Sequence, residues 1–219
     1  MKPMLLEVRA APPFMKNGFV LGCEETREGV IIDPGDEVED LLQIIRDQQL
    51  QMKYILLTHA HFDHIVGVGR AKEELQAPIG LHRDDLPLYD GAVEQGLMFD
   101  FQVEQPPPVD FFYRGSAPLT FGRYEIRIHH TPGHSPGGVC LQVGRDNDPT
   151  HGKTLIVGDT LFAGSIGRTD LPGGNLEVLL HSIRTVLFPF GDDATVWPGH
   201  GPQTTIGQER RTNPFLAPR

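Results

Sequence analysis

The stretch Thr58-His59-Ala60-His61-Phe62-Asp63-His64-Ile65-Val66-Gly67 places four metal-ligand side chains, His59, His61, Asp63 and His64, within six residues. Imidazole nitrogen and carboxylate oxygen together suit a divalent cation, and exposed loops seldom concentrate them this tightly. Three further candidates, His134, Asp159 and His200, each follow an apolar, strand-like run. Their neighbours are Pro132-Gly133, Gly158, and Gly199 with Gly201; glycine lets a backbone turn sharply and approach an ion. If these strand ends share one edge of the sheets, seven ligands converge. A metal held by such a set carries its own positive charge, which suits an anionic group on a substrate.

The elements that must position these residues are legible from periodicity. Strands are predicted over 4–9, 17–23 and 30–33, with Asp33-Pro34-Gly35 closing that region. Val38, Leu41, Leu42, Ile44 and Ile45 have helical spacing within 37–49. A strand over 54–57 feeds the ligand turn, and a helix over 65–75 leaves it. A short strand at 78–81 and a helix over 84–98, broken near Asp90-Gly91, follow. The segment around Pro106-Pro107-Pro108 reads either as a surface excursion or as a substrate lid. Strands are then predicted over 119–121, 124–130, 139–143 and 154–158, with a tight turn at 131–138 and a polar turn at 145–151. Asn175 can cap a helix reaching Leu187, and a last strand covers 195–197. This order predicts an α/β fold in which helices cover the outer faces of two packed sheets.

At 219 residues the chain can bury a sizeable core, and a single domain over 1–219 is expected. The formal net charge of -10 disfavours nucleic acid as a partner. Cys23 and Cys140, the two cysteines, lie in apolar contexts and read as small buried hydrophobes. The N-terminal residues 1–10 carry no signal-peptide pattern and nothing approaches membrane-spanning length, so a cytoplasmic protein without a membrane partner is expected. His82, His129, His151 and His181 read as ordinary polar residues. His130, nearest a motif, is a candidate to support a ligand.

The set His59-x-His61-x-Asp63-His64 with later His134, Asp159 and His200 resembles the metallo-β-lactamase superfamily over essentially the whole chain. The resemblance implies an αββα sandwich of two mixed sheets with the site at one edge. It further implies that His59, His61 and His134 hold one metal, that Asp63, His64 and His200 hold a second, and that Asp159 bridges. Lactamases proper carry Cys or Ser where Asp159 stands, so the resemblance points toward the hydrolase and thioesterase branches.

The stretch 162–174, with Glu209-Arg210-Arg211-Thr212-Asn213-Pro214-Phe215-Leu216, is similar to the short bacterial glyoxalase II-like hydrolases. In glyoxalase II a Lys and a Tyr touch glutathione where this chain has Arg168 and Asp170. Arg168 reads two ways: as a contact for a substrate carboxylate, or as a structural residue tied to Asp170. Only 19 residues follow His200, so the helical glutathione-binding domain of that family is expected to be absent. The expected activity is binuclear hydrolysis of a small thioester, S-lactoylglutathione or a related acyl thiol, by a metal-bridging hydroxide that Asp63 and Asp159 orient. Zinc is the first expectation for the two ions, with iron or manganese also suited. The alternative is a mononuclear iron persulfide dioxygenase of the same fold, which shares a motif like Gly167-Arg168-Thr169-Asp170.

Overall fold

Among the described residues the apolar runs resolve into two six-stranded sheets and one two-stranded hairpin. The computed structural model describes residues 4–115, 117–145 and 152–216; His151 and most of the turn expected over 145–151 lie outside the described residues. The chain divides into two units, Met1–Arg114 with Thr120–Arg123, and Gly115–Leu119 with Tyr124–Arg219.

The first unit contains β1 (Leu5–Ala11), β2 (Lys16–Gly22), β3 (Glu28–Ile32), α1 (Val38–Asp47), β4 (Gln51–Leu56), α2 (Phe62–Ile65), α3 (Val68–Leu75), β5 (Ile79–Leu81), α4 (Leu86–Asp90), α5 (Ala92–Met98) and β6 (Phe111–Phe112). Its strands lie in the order β1-β2-β3-β4-β5-β6, antiparallel up to β3 and parallel from β3 onward. Apart from Asn17 and Glu28, β2 and β3 are buried along their length, as their continuous apolar sequence requires. The α1 helix buries Val38, Leu41, Leu42 and Ile45, the spacing read from the sequence. Each fully buried leucine there contributes about 1.5–3 kcal/mol.

Two local expectations change. The helix expected over 65–75 is two helices, α2 and α3, with a break at Val66-Gly67. Gly67 N donates to Pro34 O at 3.0 Å, and a Cβ on Gly67 would lie 2.4 Å from Gly35 O. The Asp33-Pro34-Gly35 turn therefore presses against the helix, and only glycine admits it. The proline segment is anchored: Tyr89 Oη donates to Pro107 O at 2.7 Å, and Val103 is buried.

The second sheet contains β7 (Leu119–Phe121), β8 (Tyr124–His130), β9 (Val139–Gly144), β10 (Thr154–Gly158), β13 (Thr195–Pro198) and β14 (Thr204–Thr205). Between β10 and β13 come the hairpin β11 (Leu161–Phe162) and β12 (Ser165–Ile166), then α6 (Leu176–Ser182); α7 (Ile206–Thr212) follows β14. The order is β14-β13-β10-β9-β8-β7, with β10 and β13 parallel. Asn175 caps α6, its Oδ1 accepting from Val178 N at 3.1 Å. The regular helix stops at Ser182 and continues as a wider π-turn over Ile183–Leu187. There Thr185 Oγ1 donates to His181 O at 2.8 Å, competing with the backbone ladder. Leu155, Val157, Leu179, Ile183, Leu187 and Val196 form the centre of this unit's core. Both cysteines are buried, and burial pushes the Cys140 thiol up. Among the described residues no helix is long and apolar enough to cross a membrane.

Candidate metal centre

In the first unit the ligand turn leaves β4 and is held by a carboxylate that the sequence reading took for turn chemistry. Asp33 is fully buried. Its Oδ1 accepts from Thr58 N at 2.7 Å and its Oδ2 from Thr58 Oγ1 at 2.5 Å. The same Oδ2 lies 3.0 Å from His64 Nδ1, and Thr58 Oγ1 lies 3.1 Å from His59 Nδ1. A carboxylate only accepts, so protons run from both imidazole Nδ1 atoms toward Asp33, directly from His64 and through Thr58 from His59. That makes Nε2 of each ring the nitrogen suited to a metal. The rings are close: His59 to His61 is 4.9 Å between centroids and His59 to His64 is 4.1 Å. Asp63 Oδ2 lies 3.8 Å from His64 Nε2.

A second unforeseen carboxylate, Asp85, is also fully buried and accepts from Ala60 N at 2.9 Å. Beneath Asp33 lies an ion pair, Lys16 Nζ with Glu37 Oε1 at 2.5 Å, whose side chains are 2% and 1% exposed. Lys16 Nζ also donates to the Asp33 carbonyl, and Gly35 N donates to Glu37 Oε1 at 2.9 Å. The Asp33 rule was available in the sequence, since Asp33 too ends an apolar strand. For Asp85, Lys16 and Glu37 no sequence signal exists.

In the second unit three strand ends supply one candidate ligand each. His134 lies in the turn after β8, and its Nδ1 donates to Arg168 O at 2.8 Å, which makes Nε2 the nitrogen suited to a metal. Asp159 follows β10 and His200 follows β13. Gly199 N donates to Gly158 O at 2.8 Å, which draws those two ends together. Asp159 Oδ2 is 3.5 Å from His134 Nε2 and 3.6 Å from His200 Nε2. Thr131 Oγ1 and Thr160 Oγ1, 3.1 Å apart, join the two remaining turns.

The first unit thus brings together His59, His61, Asp63 and His64, and the second brings together His134, Asp159 and His200. Three imidazoles and a carboxylate in the first unit, and two imidazoles and a carboxylate in the second, are donors that zinc, iron and manganese all accept, so the residues of each unit fit divalent metal. Arg168 forms a bidentate pair with Asp170, Nε to Oδ1 and Nη2 to Oδ2 both at 2.8 Å. Hydrogen bonds from Arg168 hold the Asp170 carboxyl down to about 2. The part of Arg168 that reaches a candidate ligand is its carbonyl, on His134 Nδ1. His130 Nε2 lies 2.8 Å from Pro136 O and so braces the turn that carries His134. His129 pairs with Gln142, and His82 caps the turn before α4.

Residues 11–200 match the family model described as the metallo-beta-lactamase superfamily. The chain belongs to that superfamily. It has the superfamily's α/β fold, with two mixed sheets and helices, and that fold binds divalent metals. The hydroxyacylglutathione hydrolase GloC of Haemophilus influenzae is 37% identical over 215 residues, 97% of this chain and 98% of that protein. Among solved structures, BLEG-1 B3 metallo-beta-lactamase has a TM-score of 0.87 at 36% identity, covering 98% of this chain and 100% of that one. TTHA1623, in a di-iron-bound form, has a TM-score of 0.83 at 40% identity, covering 96% and 100%.

Proposed function

We propose that the chain is a metal-dependent thioester hydrolase acting on S-lactoylglutathione or a related acyl thiol. In this reading His59, His61 and His134 hold one divalent ion and Asp63, His64 and His200 a second, with Asp159 shared and zinc the first candidate metal. The observation that carries it is the seat of Asp159, whose Oδ2 is 3.5 Å and 3.6 Å from two imidazole Nε2 atoms. One carboxylate oxygen between two ligand rings suits a group shared by two ions. The near full-length similarity to a hydroxyacylglutathione hydrolase supports the thioester, and the di-iron form of a similar protein supports two ions.

Divalent ions held there supply hydroxide near neutral pH, lowering the pKa of water from 15.7 to about 7, and polarise the carbonyl. The chain's residues orient the reactants. Asp63 and Asp159 accept hydrogen bonds from the attacking water and turn its lone pair toward the thioester carbon. Asp33, through His64 Nδ1 and Thr58, keeps the Nε2 atoms of two histidines aimed at the centre. Arg168 O does the same for His134. Water adds to the carbonyl carbon, the C–S bond breaks, and the water's proton ends on the thiolate; no side-chain nucleophile is needed.

Metal analysis combined with three assays tests this. Two divalent ions per chain and loss of S-lactoylglutathione are expected. One iron with oxygen uptake on glutathione persulfide sinks the hydrolase in favour of the dioxygenase. Faster turnover of a β-lactam than of any thioester replaces the substrate class.

A further inference from the structure

The C-terminal stretch 209–216 contributes no ligand, yet it buries a carboxylate. Glu209, on α7, is fully buried. Its Oε1 accepts from Thr204 Oγ1 at 2.6 Å, and its Oε2 accepts from Gly164 N and from Asn213 Nδ2, both at 2.8 Å. Asn213 Nδ2 also reaches Ser165 O at 2.9 Å. Burying a carboxylate is unfavourable unless donors surround it, and these three offset that cost. Packing alone would be met by an apolar side chain here. The hydrogen bonds instead fix one object, the turn Gly164-Ser165 of the β11–β12 hairpin.

That hairpin and the two residues after it touch all three ligands of the second unit. The Phe162 ring stands edge-on to His200, with centroids 6.1 Å apart. A Cβ on Gly167 would lie 1.9 Å from Asp159 O and 3.1 Å from His134 Nδ1, so the chain passes directly over both. Arg168 O accepts from His134 Nδ1 at 2.8 Å. The hairpin pairs only Leu161 with Ile166 and Phe162 with Ser165. Two pairs do not hold a hairpin in place unaided. Its support comes from the core contacts of Leu161 and Ile166 beside Ile206 and Leu216, and from Glu209 and Asn213.

We infer that Glu209 and Asn213 are positioning residues: through the hairpin and Gly167-Arg168 they set the geometry of His134, Asp159 and His200 as metal ligands. This rests on the assignment of those three as ligands given above. The full-length chain is loaded with Co(II), and its visible absorption band and its affinity, by chelator competition, are compared among variants. Wild type, Glu209→Ala, Glu209→Gln and the exposed control Arg211→Ala are measured at a temperature where circular dichroism reports each as folded. Glu209→Ala shifts the band and loses about tenfold in affinity, the lower end for a group acting on a ligand from behind. Glu209→Gln recovers most of that loss, because its carbonyl can face Gly164 N and Asn213 while its amide faces Thr204 Oγ1. Arg211→Ala matches wild type. Should Glu209→Ala not fold, Asn213→Ala, which frees Ser165 O, shows the same band shift at smaller size. A lowered melting temperature with an unchanged band and affinity makes the role merely structural and overturns the inference alone. Wild-type chain that binds no Co(II) overturns the ligand assignment and the inference together.

Discussion

The two groups of candidate ligands differ in what bonds to them directly. In the first unit four candidate ligands lie within six residues, and buried charged side chains hold them: Asp33 on Thr58 and His64, Asp85 on Ala60, and Lys16–Glu37 under Asp33. In the second unit three candidate ligands come from three strand ends, and the groups bonded directly to those ends are main-chain ones, Arg168 O on His134 and Gly199 N on Gly158 O, with the buried Glu209 side chain one step behind, on Gly164 N. A turn with closely spaced ligands has no room for sheet bonds to its own backbone, so side chains must reach in. Strand ends inherit their placement from the ladder, and a carbonyl suffices.

The largest effect tests the ligands themselves. Asp159→Ala is expected to lower thioester turnover at least about a thousandfold, no less than removal of one oxyanion donor costs elsewhere, with the circular dichroism spectrum unchanged; near-normal turnover breaks the shared-ligand reading. Next comes the charged support. Lys16→Met leaves Glu37 buried beside no cation and is expected to cost about 3–5 kcal/mol in urea unfolding. The double variant Lys16→Met/Glu37→Met recovers most of it, because an apolar pair of similar volume replaces the ion pair. If the double variant is as unstable as the single, the buried charge is not what holds the Asp33 turn.

Asp33→Asn sharpens the comparison further. An amide cannot accept from both Thr58 Oγ1 and His64 Nδ1 on its nitrogen side. Metal affinity by chelator competition is expected to fall about 10–100-fold. The smallest effect lies at Arg168. Its carbonyl survives any substitution, so Arg168→Ala should leave metal content unchanged. A rise in KM alone would assign its guanidinium to substrate; no change in KM leaves it to Asp170. The Asp170 carboxyl is held down from 3.8 to about 2 in the folded chain. A group with a depressed folded value stabilises above its unfolded value, and that contribution fades as pH falls from about 4 through 2. Melting curves at low salt should show this small loss, and Arg168→Ala should remove it.

Most strands were legible because their apolar runs are continuous or alternate: 119–121, 124–130 and 154–158 coincide with β7, β8 and β10. The pieces that were not are short. β6, β11, β12 and β14 have two residues each, too few for a period to declare itself, and they form because neighbours offer ladder partners. The break between α2 and α3 was also hidden, since Gly67 is required by the approach of Gly35 O, 32 residues away in sequence. Arg168 was open between two roles on sequence, and the Asp170 pair occupies its side chain.

The sequence by itself supplied the candidate chemistry: seven candidate ligand side chains, their order, and a donor set that suits divalent metal, because residue type and local spacing carry that information. Tertiary structure alone decided what holds those side chains. Asp33 to His64, Arg168 O to His134, and Glu209 to the hairpin join residues 31, 34 and 45 positions apart. A hydrogen bond depends on where two atoms meet in space, and for partners so distant in the chain only the fold supplies that.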